Sequence, residues 1–351
     1  MNICMDLGHP GHVHFFRHCA TILEHRGHAV FFVCRDMPIV HRLLSAQGRS
    51  AVPMGSKRLG RAGLVLELAE HTARLSIFLR KNRIDVCAAI GGTFSVAAAK
   101  VAGVACVAFS DTDTAIMENR IVYPLVTCLA TAEGYPYDLR DKHRRYKGFH
   151  ELAYLHPEYF TPDPGVAARY GLGPDNPYSV VRLSAWEAGH DLGLRKASRA
   201  EKLEMVARLA AYGKVVVVPE GAYPRELAAV APPLHPELAP EDFHHILAFA
   251  RFCLTEGATT ASEACVLGVP SLYCNPARPF YISELMEYGL LDVVAPGAGM
   301  SAAMEAHLVR HQDVEACRAV GARIVAERVN VARFAADLVE SVAKDNRITS
   351  G

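Results

Sequence analysis

The strongest constraint on this chain is the alternation of short β-rich apolar runs with longer helical patterns along its whole length. Parallel strands need a crossover of a dozen or more residues, and helices supply it, so the alternation predicts parallel sheets wrapped by helices. In the amino half the spacing predicts strands at 2–6, 29–34, 86–90, 105–109 and 126–130. Helices are predicted at 13–25, 38–47, 60–81 and 94–101. The first of these ends at Arg26-Gly27-His28, where glycine supplies a left-handed stop. A second series predicts strands at 178–182, 214–218, 252–254 and 271–274, with helices at 201–212, 241–248 and 260–267. From 300 to 344 the pattern is helical alone, enough to pack on the sheet and cross back toward the first domain.

A chain of 351 residues suits two such domains of about 150 residues better than one. Turn formers crowd His156-Pro157 through Gly165 and again Gly173 to Pro177, which sets the boundary. The reading is an amino-terminal Rossmann-like domain over 1–155 and a linker over 156–177. A carboxyl-terminal Rossmann-like domain follows over 178–335, then a helix and tail over 336–351.

Charge excludes one class. The formal net charge is +0, with 19 Lys and Arg against 14 Asp and Glu in residues 1–160 and 18 against 23 beyond. That mild asymmetry lacks the concentrated basic face of a nucleic-acid protein. Ten cysteines, none in a C-x-x-C pair, sit mostly inside apolar runs such as Val86-Cys87-Ala88. They read as reduced core thiols rather than a disulfide frame. The start lacks signal-peptide character and no 18-residue apolar span occurs, so a cytoplasmic protein is expected. The stretch Lys57 to Leu66 mixes basic and apolar residues and Arg80-Lys81-Asn82-Arg83 closes the helix after it, which fits either weak peripheral membrane contact or an ordinary helix with a charged end.

In open parallel sheets, ligands sit at the carboxyl ends of strands, where loops enter helix N-termini. Four such loops carry candidates. The first is Leu7-Gly8-His9-Pro10-Gly11-His12-Val13-His14, where Gly8 and Gly11 let backbone approach a ligand and the helix N-terminus favours an anion. Its histidines read as capping or surface groups, as the opening of a metal site, or as His12 serving as general base. The metal reading needs further His and Asp ligands at later strand ends, and no convincing His is found there, so no metal is expected. The second loop is Ile90-Gly91-Gly92-Thr93, a tight turn or a ligand contact, with Asp111 ending the next strand. The third runs from Thr255 to Pro270. Here the N–H groups of Gly257, Ala258, Thr259 and Thr260 would meet a diphosphate, and Glu263, one turn on, would take the ribose hydroxyls unless it is an exposed helix glutamate. The fourth is Arg182-Leu183-Ser184-Ala185-Trp186, where Arg182 and Ser184 would contact phosphate and Trp186 reads as core.

The run Asp6-Leu7-Gly8-His9-Pro10-Gly11-His12-Val13-His14-Phe15-Phe16 resembles the opening of a bacterial and archaeal domain family of unknown function related to GT-B enzymes. The 255–270 stretch resembles the donor-binding segment of the N-acetylglucosaminyltransferase that completes the peptidoglycan lipid precursor, and that of nonhydrolysing UDP-N-acetylglucosamine 2-epimerases. Gly91-Gly92, Phe109-Ser110-Asp111 and Tyr146-Lys147-Gly148 fall in the same order, so the resemblance spans nearly the whole chain. It implies the GT-B architecture, two Rossmann-like α/β domains with parallel sheets facing a central cleft. It implies a metal-independent glycosyltransferase without a resident cofactor, moving a sugar from a nucleotide-diphosphate donor, UDP-linked, to a hydroxyl acceptor that is a glycan or a lipid-linked molecule, as in cell-surface glycan synthesis. A 2-epimerase or a non-catalytic nucleotide-sugar binder are the alternatives. On this resemblance Gly257 to Thr260 hold the diphosphate, Glu263 the ribose, Ser184 a phosphate, and Asn275 or Arg278 the sugar, with His12 on the acceptor side. Two departures stand out: Glu256 precedes Gly257-Ala258 where the family has Ser or Asp, and Arg182-Leu183-Ser184 replaces a Gly-Gly-Ser loop.

Overall fold

A computed structural model describes the chain apart from Lys57, Leu59, 115–117, Pro174, 184–195, Glu220 and Gly351, and apart from the side chains of Arg61, Glu118 and 347–350. Ser184 and Trp186 therefore lie outside the described residues. The described chain forms two compact units, Met1–Tyr159 with Arg328–Gly351, and Phe160–Glu327.

The first unit opens with β1 (Asn2–Leu7), α1 (Pro10–His25), β2 (Ala29–Arg35), α2 (Pro38–Ser45), β3 (Val52–Gly55), α3 (Gly60–Lys81), β4 (Val86–Ile90), α4 (Ser95–Ala102) and β5 (Ala105–Ser110). β6 (Cys128–Ala132) and β7 (His143–Tyr146) complete a seven-stranded sheet in the order β3-β2-β1-β4-β5-β6-β7. All its pairings are parallel. Central strands buried on both faces read as near-continuous apolar runs, and β4 does so throughout and β5 as far as Phe109. Leu75 and Leu79 of α3 and Val96, Ala98 and Ala99 of α4 bury Cys4, Cys87 and Cys106 of three neighbouring strands. All ten cysteines are buried and free, as packing in apolar runs demands.

The second unit contains α5 (Pro164–Arg169), β8 (Tyr178–Arg182), α6 (Arg199–Ala210), β9 (Lys214–Val217), α7 (Phe243–Ala248), β10 (Phe252–Thr255), α8 (Ala258–Val266), β11 (Ser271–Tyr273), α9 (Phe280–Met286), β12 (Leu291–Val293), α10 (Met300–Arg310) and α11 (Val314–Ala326). Its five strands are again all parallel, in the order β12-β11-β10-β8-β9. One core lies between this sheet and α6 and α10; another lies beneath α5, α7 and α8.

The final helix, α12 (Val331–Ser350), belongs to the first unit and packs along α1. Its stripe Val331, Ala332, Ala335, Ala336, Val339 and Ala343 is buried, and Arg26 at the end of α1 holds Asp337 at 2.6 Å and Glu340 at 2.8 Å. Among the described residues no helix is long and apolar enough to cross a membrane.

α11 meets the turn that follows α8 through two glycines, Gly321 and Gly268. A Cβ on Gly321 would lie 2.6 Å from the Gly268 backbone, and Gly268 itself has φ +73°, a conformation few other residues adopt. Gly321→Ala is therefore expected to cost about 1–3 kcal/mol by overpacking. Gly299→Ala, where a Cβ meets nothing within 4 Å, serves as the neutral control. Thermal denaturation of both variants tests this; equal melting temperatures would contradict it.

Candidate functional site

A parallel sheet opens a crevice where consecutive connections leave toward opposite faces, because there the loops diverge. In the first unit that switch lies between β1 and β4, in the second between β8 and β10. In the second unit Arg182, the last residue of β8, is in register with Thr255, the last of β10, and the Glu256 amide donates to the Arg182 carbonyl at 3.1 Å. The crevice is thus framed by Arg182 on one side and the Glu256-Gly257 turn on the other.

That turn feeds α8, whose N-cap is Gly257 in extended conformation, with no side chain capping the helix. Gly257 N–H is used by Thr255 Oγ1 at 2.9 Å. The first-turn amides of Ala258, Thr259 and Thr260 carry the positive end of the helix dipole, and Gly257 and Thr259 are exposed. Arg182 is half-buried, its guanidinium over the Phe243 ring at 5.3 Å. No carboxylate pairs with it among the described residues. Glu263 is not an exposed helix glutamate: it is 4% exposed, and His244 Nε2 donates to its Oε1 at 2.9 Å. The thiol of Cys253 on β10 is pushed up first by burial and then by Glu263, while Arg182 pulls it down, so both charges flank that strand.

One family departure and one expected sugar contact gain a physical account. Glu256 does not confront a phosphate with bare charge, because its Oε2 lies 2.8 Å from Lys202 Nζ of α6, with both side chains buried. Asn275 does not extend a free amide toward a sugar: its Nδ2 donates to the Glu256 carbonyl at 2.9 Å and its Oδ1 accepts from Ala277 N–H at 3.0 Å. Asn275 braces the turn instead. Arg278 is exposed beyond β11.

The first unit differs. α1 is capped by His9, whose Nδ1 accepts from Gly11 N–H at 3.1 Å, while His12 N–H donates to the His9 carbonyl. The expected anion site at this helix end is therefore filled by the chain's own side chain. Gly91 and Gly92 have φ of 72° and 76°, so the turn geometry alone accounts for the pair. Asp111 Oδ1 accepts from Thr112 Oγ1 at 2.8 Å, and its Oδ2 lies 3.5 Å from Nδ1 of buried His150. Beneath the loop, Asp6 is buried with His71 Nε2 at 3.2 Å and Ser95 Oγ at 2.5 Å on the same carboxylate oxygen.

His12 needs a correction. Its Nδ1 accepts the Gly8 N–H at 3.1 Å, so the neutral ring carries its proton on Nε2 and presents a donor. A general base needs that lone pair, which is already occupied. Burial, helped by His9 and opposed by Asp6 and Asp111, lowers its pKa to about 4, so the ring stays neutral at physiological pH.

Sequence reasoning missed Lys202, His150, His71, Ser95 and His244. None belongs to a local motif; each matters through a partner at least 19 residues away, the His244–Glu263 separation being the shortest. Among the described residues no group of three or more His, Cys, Asp or Glu could hold a metal ion.

A histidine whose folded pKa lies below its unfolded value of 6.5 leaves stability untouched above that value and lowers it as pH falls from 6.5 toward about 4. His18, lowered to about 4 by burial and then Arg17, acts in the same direction. His12→Asn keeps an acceptor for Gly8 N–H but removes one titration. Its melting temperature is expected to fall less than wild type between about pH 7 and about pH 5. A steeper fall would contradict the assignment.

Comparison with known proteins bears on the family and the fold. The family model described as "Protein of unknown function (DUF354)" matches residues 1–291. No curated protein matches by sequence. Among solved structures, MurG of Acinetobacter baumannii is similar at 14% identity and a TM-score of 0.59, over 97% of this chain and 99% of that one. The glycosyltransferase SnogD from Streptomyces nogalater gives 16% and 0.63, over 97% and 99%. UDP-GlcNAc 2-epimerase from Neisseria meningitidis, bound to UDP-GlcNAc, gives 12% and 0.66, over 98% and 100%. At such identities likeness shows the fold, two parallel-sheet α/β domains of GT-B type. The chain belongs to the DUF354 family, and its fold is that of GT-B glycosyltransferases and UDP-GlcNAc 2-epimerases.

Proposed function

We propose that this chain is a glycosyltransferase that takes its sugar from a nucleoside-diphosphate donor, UDP-linked, without a resident metal. The observation that carries the reading is the uncapped N-terminus of α8 beside the carboxylate-free Arg182 at the switch point of the second sheet. Backbone amides and a guanidinium there match a diphosphate, and Glu263 on the same helix supplies a carboxylate for ribose hydroxyls. Ser184 and Arg278 belong to this reading as further contacts to phosphate and sugar.

In the reaction the acceptor hydroxyl oxygen bonds to the sugar's anomeric carbon, and the bond from that carbon to the phosphate oxygen breaks. The nucleoside diphosphate leaves with the bonding pair. Its charge is met by the α8 dipole and Arg182, groups fixed before reaction. Asp111, held by Thr112 and facing His150, takes the hydroxyl proton, and His12 Nε2–H donates to the substrate on the acceptor side. The acceptor is a glycan or lipid-linked alcohol. Exposed Leu64, Val65 and Leu66 on α3, with Arg58 just before the helix and paired with Glu70, support contact with an anionic membrane. Salt-sensitive co-sedimentation with anionic vesicles is expected, and its absence at low salt would remove the membrane contact.

Epimerisation is the second reading, favoured by the 0.66 overlay on an epimerase bound to its substrate. Incubation with UDP-N-acetylglucosamine and no acceptor, followed by sugar analysis, separates the two: a 2-epimer appears only in the second.

A ligand that binds the folded chain alone raises its melting point. A UDP-sugar is expected to do so, and Arg182→Ala to weaken UDP binding about 10–100-fold by removing charge-assisted bonds. Inertness to the UDP, GDP, CDP and dTDP series would contradict the reading.

A further inference from the structure

A cavity of about 350 Å³ opens in the first unit at the amino-terminal ends of β5 and β6. Parallel sheets take substrate at the carboxyl ends of their strands, so this cavity lies at the other end of the strands from the crevice between β1 and β4. Its floor is apolar and buried: Val96 and Cys106 are 3% exposed and Val126 is 1% exposed. Its rim is exposed and carries two ammonium groups, Lys100 of α4 and Lys142 before β7, with the hydroxyl of Thr127. Small-molecule sites share these properties, a mostly apolar hollow of a few hundred Å³ with a few convergent polar groups.

Both charges on the rim are positive and uncompensated. Among the described residues neither Lys100 nor Lys142 pairs with a carboxylate, and Lys142 Nζ donates to the Pro124 carbonyl at 3.2 Å, which holds it at the edge. Thr127 Oγ1 accepts from Cys106 N–H at 3.0 Å and so keeps its own proton for a further acceptor. The carboxyl end of α4 would by itself repel an anion, but Arg80 of α3 donates to the Val101 carbonyl there. Burial, then Cys87 and Asp6, push the Cys106 thiol well up, so the floor holds a neutral thiol and no thiolate. The rim therefore asks for negative charge and the floor for hydrocarbon. We propose that this cavity is a second ligand site, taking a small organic anion with its head group on Lys100 and Lys142 and its apolar body over Val96, Cys106 and Val126. The proposal stands apart from the donor-site reading, since it uses none of the same residues.

The test is calorimetric titration of the full chain with octanoate, acetate and 1-octanol at low salt. Octanoate carries both features, acetate the head group alone and 1-octanol the chain alone. Octanoate is expected to bind once per chain and each of the others about tenfold more weakly or worse, the value of one charge-assisted bond or of two buried methylenes. The double variant Lys100→Met, Lys142→Met keeps the length of both side chains and removes their charge. It should weaken octanoate about tenfold or more and leave 1-octanol unchanged. Lys81→Met, an exposed position that does not line the cavity, should leave octanoate binding as it is. UDP binding should be the same in all these variants, so a failure of the donor site and a failure of this one are read separately. Undiminished octanoate binding in the double variant, or an equal loss in Lys81→Met, overturns the proposal. So does acetate or 1-octanol binding as tightly as octanoate, or a wild type that binds octanoate no more tightly than about 10 mM.

Discussion

Everything in this molecule that resembles a site follows from building both sheets entirely from parallel strands. Such sheets are covered on both faces, so their strands cannot carry exposed polar groups along their length. Chemistry is pushed to the carboxyl ends, and the reversal of strand order selects which ends. In the second unit that reversal falls between β8 and β10, and it sets Arg182 and Thr255 in register. A cation and an uncapped helix are thereby brought side by side from positions more than seventy residues apart.

The two units share this plan and spend it differently. Both place a loop with glycines before a helix. In the first, His9 caps α1 and Gly8 is bonded to His12, so the backbone donors are consumed internally. In the second, Gly257 leaves α8 uncapped and the charge of Glu256 is neutralised from beneath by Lys202. The acid that departs from the family pattern is thus made compatible with an anion above it by a buried cation that sequence inspection passes over. On the proposed function, this contrast favours the second unit as the place for an anion.

The fold was legible because its central strands are apolar on both faces and bounded by turn formers. β3, β7 and β12 were not legible, and all three lie at sheet edges. Val52-Pro53-Met54-Gly55 holds a proline, His143-Arg144-Arg145-Tyr146 is charged, and Leu291-Asp292-Val293 is three residues long. Those are the devices that keep an edge from pairing with another chain, and they erase the strand pattern in doing so. β6 begins two residues later than expected because the Tyr123–Leu125 turn, built around Pro124, occupies the approach. At the site, the glycine loops and Glu263 could be picked out from spacing. The His12 tautomer, the Asn275 brace and the His244 contact could not, since each depends on where a distant or turned backbone group ends up.

The claim at the centre is that the α8 turn grips a nucleotide diphosphate, and a crystal structure of the chain with UDP tests it most directly. The account predicts the diphosphate on the amides of Ala258 to Thr260 with Arg182 against it, and the ribose on Glu263. A diphosphate bound away from that turn, or a ribose facing solvent, would contradict it.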